Sequence, residues 1–162
     1  MATDRPSLGL ELLAVGDRLP PSNWVTVTQE MVNSFGAATL DNDPMHVDPA
    51  WAARGPFGGT IAFGFLSLSL LTALLHQAMG TTSERYDPSL GYFLNYGFDR
   101  ARLISPVPVG SRVRGVFTVA EIRHDSEERR IVKLIATIER EGGERPAVYA
   151  EWLACWVPPA AA

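Results

Sequence analysis

Ile61-Ala62-Phe63-Gly64-Phe65-Leu66-Ser67-Leu68-Ser69-Leu70-Leu71-Thr72-Ala73-Leu74-Leu75-His76-Gln77-Ala78-Met79 is the stretch on which the fold turns. It sits inside a longer segment, Gly55 to Ser83, that contains no Asp, Glu, Lys or Arg. A helix that is apolar on all sides must be buried, in lipid or in protein. The most apolar part, Ile61 to Leu75, is only 15 residues and is interrupted by Gly64, Ser67, Ser69 and Thr72. A bilayer span takes roughly 20 predominantly apolar residues. The segment therefore predicts a core helix over 61–79, stopped by Gly80, and no membrane span.

The C-terminal half of the chain supplies the material to bury it. Phe93 to Ile104, Arg112 to Arg123, Arg130 to Glu139 and Val148 to Val157 are rich in Val, Ile, Phe, Tyr and Trp. Turn signals separate them at Pro106-Val107-Pro108-Val109-Gly110, His124-Asp125-Ser126 and Gly142-Gly143, so they read as four strands. Short connections between successive strands imply an antiparallel meander. Helices followed by strands indicate an α+β domain, and a curved sheet wrapped around the apolar helix is the arrangement that covers it.

Working back from the helix, Leu19-Pro20-Pro21-Ser22 is a turn and Trp24-Val25-Thr26-Val27 a short strand. Thr28 is placed as an N-cap, and Met31, Phe35 and Ala38 form one apolar stripe, predicting a helix over 29–39. Asp41-Asn42-Asp43-Pro44 leaves it, because proline disfavours the α region for the residue before it. Asp48-Pro49 opens a second short helix, as N-cap and first residue. Gly55 to Gly59 is a loop that matches no phosphate-cradling fingerprint.

The 162 residues suit one domain spanning 1–162, with loose ends at about 1–8 and 158–162. The formal net charge of −4 leaves no basic footprint for nucleic acid. The single cysteine, Cys155, fits a reducing compartment and reads as a small buried hydrophobe. With no charged-then-apolar pattern at the start, a cytoplasmic location is expected.

The chemistry-bearing segment is Phe35 to Asp48, where Asp41, Asp43, His46 and Asp48 fall within eight residues on a proline-bent loop. A carboxylate and an imidazole that share a water can take a proton from it and deliver one elsewhere. A backbone N–H in the first turn of the long helix, around Ile61 to Gly64, can hold a developing oxyanion. Plainer readings stand beside this one. Asp41 can satisfy the preceding helix end, Asp48 can be only an N-cap, and His46 can be structural. A calcium loop counted from Asp41 fails, with Met45 at position five, His46 at six and Ala52 at twelve. A transition-metal site on Asp43, His46 and Asp48 lacks a second His or Cys nearby. No metal and no cofactor are expected.

These residues resemble the MaoC-like dehydratase family, which includes (R)-specific enoyl-CoA hydratases and the nodulation protein N group. The likeness rests on Phe35, on Leu40-Asp41-Asn42-Asp43-Pro44-Met45-His46, and on Pro56-Phe57-Gly58-Gly59-Thr60-Ile61-Ala62-Phe63-Gly64. Asn95 to Arg100 and Pro106 to Val113 extend it, so that it covers roughly residues 15 to 157. The resemblance implies a hot-dog fold, in which a curved antiparallel sheet wraps a long central helix. It also implies hydration of enoyl-CoA thioesters, or the reverse dehydration, with an (R)-3-hydroxy product. Asp41 and His46 would be the catalytic pair around a water, and Gly64 would give its N–H to the thioester oxygen. Phe63 and Asn95 are expected to bind substrate. The expected partners are an acyl-CoA thioester and a second copy of the chain, as a homodimer. A hot-dog thioesterase or a non-catalytic acyl-binding subunit are the alternatives. Three positions depart from the family pattern: Leu40 replaces a glycine, Asp43 an asparagine and Phe63 a histidine.

Outside this segment, Ser69 and Thr72 read as helix side chains bonded to their own backbone. Arg100 and Arg102 share one strand face, and Arg112 and Arg114 another. All four read as a solvated surface that can also meet phosphate. Trp24, Trp51, Trp152 and Trp156 are expected in packing, and His76 and His124 as structural.

Overall fold

The computed structural model describes residues 9–81 and 91–159. Of the expected loose ends, 1–8 and 160–162 lie outside the described residues. The elements are β1 (Val25–Thr26), α1 (Gln29–Thr39), α2 (Pro44–Val47), α3 (Pro49–Ala52), α4 (Gly64–Met79), β2 (Tyr92–Leu103), β3 (Arg112–His124), β4 (Arg130–Arg140) and β5 (Val148–Val157), preceded by one 3-10 turn at Leu10–Leu12. The strands form one sheet in the order β1-β3-β4-β5-β2, with every pairing antiparallel. This is the wrapped-sheet, hot-dog arrangement expected from the sequence.

Alternation along β3 and β4 explains the core. Val113, Phe117 and Val119 of β3, and Val132, Leu134, Ala136 and Ile138 of β4, turn inward and are buried. Against them lie Leu71, Leu74, Leu75, Ala78 and Met79 of α4. Fully burying one such side chain is worth about 1.5–3 kcal/mol, so the helix–sheet contact is a major source of the domain's stability. Cys155 is buried in a small separate cluster with Ile131 and Leu153, and burial pushes its thiol pKa up.

Two expectations need correction. The long helix begins at Gly64, not Ile61, because Ile61 is paired with Pro108 in an isolated β-bridge and Phe63 is the N-cap. Nor is it buried all round: Phe65, Ser69 and Ala73 form an exposed stripe at four-residue spacing. Phe65 is 71% exposed. The sheet covers the opposite side only. Gly80 ends the helix as expected, in the left-handed conformation (φ 72°). Among the described residues no helix is long and apolar enough to cross a membrane.

Candidate active site

The loop between α1 and α4 is built by successive caps. Thr28 accepts from Met31 N–H (3.2 Å) and starts α1. Leu40 ends it in the left-handed conformation (φ 62°), which a glycine adopts without strain and a leucine does not. The position where the resemblance has a glycine thus carries a backbone that glycine would take without strain. Asp41 turns back, its N–H donating to the Gly36 carbonyl at 3.0 Å. That approach requires Gly36. A Cβ at this position would lie 2.7 Å from the Asp41 carbonyl oxygen and 3.1 Å from the Phe63 ring.

The next turn is tightened by carboxylates. Asp41 Oδ1 accepts the Asp43 N–H at 3.2 Å, and Asp43 Oδ1 accepts the Met45 N–H at 2.9 Å. Asp43 is thereby the N-cap of α2, a one-turn helix with Pro44 in its first turn. This corrects the loop expected there. Pro44 keeps Asp43 out of the α region, as expected, yet the same proline suits a helix start. Asp48 caps α3 by accepting the Trp51 N–H at 3.0 Å, as expected.

α2 carries His46 inward. Its ring is buried, with Nδ1 2.7 Å from the Ile61 carbonyl oxygen. A carbonyl only accepts, so Nδ1 holds the hydrogen and Nε2 is the nitrogen left for proton exchange. The ring lies on Phe63 with centroids 4.0 Å apart, and Phe63 packs in turn on Phe35 at 5.3 Å. Phe63 therefore braces the imidazole rather than offering it a polar partner.

His46, Gly64 and Ser67 line one cavity of about 180 Å³, with Leu103, Val107 and Val148 among its other walls. Gly64 is the first residue of α4. Its N–H belongs to the turn that has no intrahelical acceptor, at the positive end of the helix dipole. An imidazole and a helix-start N–H facing one cavity can move a proton and hold an oxyanion. A Cβ at Gly64 would come 2.3 Å from Leu103 Cδ1, so glycine is what lets the Leu103 side chain pack against the start of α4.

The remaining expected residues lie elsewhere. Asp41 is exposed, and no hydrogen bond joins it to His46 among the described residues. Asn95 lines a different cleft, with Leu68, Thr72 and Trp152. Arg112 and Arg114 pair with Glu141 and Glu139 and lie on the Trp24 ring. Trp51 is exposed. Arg100 and Arg102, with Arg145 and Tyr149, line an open cleft that shares Leu103 and Ile104 with the His46 cavity.

Gln29 is a positioning residue that the sequence does not reveal. Its Nε2 donates to the His46 carbonyl at 2.8 Å and to Asn33 Oδ1 at 2.9 Å, while its Oε1 accepts from Thr60 at 2.6 Å. It ties α1, α2 and the approach to α4 together. No local signal marks a glutamine at the start of a helix for that task.

Residues 12–140 match the family model described as MaoC like domain. The chain is 43% identical over 140 residues to nodulation protein N of Rhizobium leguminosarum bv. viciae, covering 86% of this chain and 84% of that one. It is 40% identical over 144 residues to 3-hydroxyacyl-thioester dehydratase Z of Mycobacterium tuberculosis, covering 89% and 91%. The solved (R)-hydratase from A. caviae superposes with a TM-score of 0.69 at 28% identity, over 88% of this chain and 96% of that one. With a family model matched over most of its length and relatives of 40% identity or more, the chain belongs to the MaoC-like dehydratase family.

Proposed function

We propose that the protein adds water to the double bond of an α,β-unsaturated acyl-CoA, or removes it in reverse, giving an (R)-3-hydroxyacyl-CoA. The observation that carries this reading is the buried His46 ring, locked through Nδ1 onto Ile61 and sharing a cavity with the start of α4. In the hydration direction, a water held between the Asp41 carboxylate and His46 Nε2 gives a proton to Nε2 as its oxygen bonds to the β carbon. The electron pair moves onto the thioester oxygen, where the Gly64 N–H stabilises the enolate. The protonated Nε2 then delivers its proton to the α carbon, which completes the addition and restores neutral His46. Such proton transfers contribute roughly 10²–10⁴-fold, and a single oxyanion donor about 3–4 kcal/mol.

The arginine cleft beside the cavity supports a CoA carrier. Guanidinium groups are suited to phosphate, and among the described residues Arg100, Arg102 and Arg145 take part in no salt bridge. The edge strand supports a homodimer. β2 is 12 residues long, lies at the end of the sheet order, and exposes Tyr92, Leu94, Tyr96 and Phe98. A long apolar edge invites pairing, and the exposed Phe65 stripe of α4 would be covered with it. The stereochemistry follows the relative named as an (R)-hydratase.

The test is loss of enone absorbance with crotonyl-CoA, with free thiol followed in parallel. Absorbance loss without thiol is the expected result. Thiol release would make the protein a thioesterase, and no change with any chain length would make it a binding subunit.

A further inference from the structure

One turn beyond the His46 cavity, the same side of α4 lines a second cleft. Gly64 and Ser67 line the first, and Leu68, Leu71 and Thr72 line the second. At 1.5 Å rise per residue the two are displaced by roughly 7 Å along the helix. The second cleft holds about 260 Å³ and is closed by Asn95 and Phe98 of β2 and Trp152 of β5. An acyl chain laid along this side of α4 from the reacting carbons would reach it.

Its lining does not suit a plain alkyl chain. Leu68, Leu71, Phe98 and Trp152 are apolar walls, but Ser69, Thr72 and Asn95 put polar atoms among them. Asn95 Nδ2 reaches Thr72 Oγ1 only at 3.5 Å, longer than a good N–H···O bond. Ser69 donates to the Phe65 carbonyl at 2.8 Å, which leaves the hydroxyl's lone pairs free. Trp152 adds a second, independent sign. Its ring is buried and, among the described residues, its Nε1–H has no partner, a state native proteins rarely keep. Phe98 stacks on the face of that ring (centroids 6.3 Å, planes 24°) and, 42% exposed, forms the outer wall of the cleft. Apolar walls with a few convergent polar groups are the composition of a small-molecule site.

We propose that this cleft selects an acyl chain bearing a hydroxyl or carbonyl oxygen several bonds beyond the reacting double bond. The oxygen takes the Asn95 amide hydrogen, and the Trp152 N–H once the side chains around the indole edge shift to admit it. The chain on either side of it lies on Leu68 and Leu71. This rests on the proposed acyl-thioester hydration and names the class of chain. A chain without the oxygen leaves these donors unpaired, and sites built to hydrogen-bond a substrate group discriminate strongly against analogues that lack it.

The test is equilibrium binding, by calorimetry, of two saturated probes that cannot react: octanoyl-CoA and omega-hydroxyoctanoyl-CoA. Native protein is expected to favour the hydroxylated probe by about tenfold or more. Asn95→Leu and Trp152→Phe should each reduce that preference to less than about threefold. Equal or tighter binding of octanoyl-CoA overturns the proposal, as does a preference that survives both variants. Asn95 is on an exposed edge, so its variant remains informative if Trp152→Phe does not fold. Crotonyl-CoA is too short to reach the cleft, and its turnover separates the two readings. Hydration of crotonyl-CoA with no hydroxyl preference sinks only the cleft. A hydroxyl preference without hydration sinks only the reaction. Failure of both probes to bind overturns the cleft and the carrier assignment together.

Discussion

At the scale of single residues, His46 and Leu40 make opposite demands on the fold. His46 is a polar ring that the fold buries, and burial is tolerable because Ile61 satisfies Nδ1. The proposed mechanism asks Nε2 to exchange a proton with a water shared with Asp41. His46→Ala and Asp41→Asn should each lower kcat by at least about 100-fold. The far-ultraviolet circular dichroism should stay native, since neither group anchors the core. Near-normal kcat in both variants would reject the pair. Leu40 carries the conformational cost of the loop, being 86% exposed with φ 62°. Its side chain has little to lose on removal. Leu40→Gly should stabilise the protein by about 0.5–1 kcal/mol, because relief of the left-handed strain exceeds the added chain entropy of glycine. Thermal melts check this: a lower Tm would mean that the exposed leucine has a contact in the assembled protein.

At the scale of elements, the site depends on three short segments holding a common register. α2 has four residues, too few to be stable as an isolated helix. Its position is set by the Asp43 and Pro44 start, by Gly36 under the Asp41 carbonyl, and by Gln29. Gln29→Ala removes the donor to the His46 carbonyl and the acceptor from Thr60. The expected cost is about 1–3 kcal/mol of stability. Turnover of a short enoyl-CoA should fall through kcat with KM little changed, because the imidazole shifts while the acyl cleft does not. A change in KM alone would assign Gln29 to binding instead.

At the scale of the whole molecule, the β2 edge and the Phe65 stripe are apolar surfaces left exposed among the described residues. If two copies join there, a charge on the edge should separate them. Tyr96→Lys is expected to shift the mass measured by light scattering from dimer to monomer, since an inward or edge lysine opposes strand pairing. Enoyl-CoA turnover should drop with it, because Leu103 links that edge to the His46 cavity. A native protein that is already monomeric would refute the homodimer.

Much of this is legible in the chain alone, for reasons tied to local physics. The central helix follows from a charge-free apolar run too short for a bilayer. The four long strands follow from β-branched and aromatic composition between turn residues. The caps at Thr28 and Asp48 and the stop at Gly80 are contacts within a few residues, which sequence order encodes directly. Asp41 and His46 stand out because a proline-bent loop concentrates titratable groups. What only the tertiary structure decided are matters of long-range proximity. Ile61 satisfies His46 from 15 positions away, Phe63 stacks on its ring, and Gln29 reaches its carbonyl from α1. The exposed stripe on α4 depends on which side the sheet covers. The cleft with Asn95, Thr72 and Trp152 brings together three elements far apart in sequence. Periodicity and capping act over one or two turns of chain, whereas these contacts exist only after the sheet has closed around the helix.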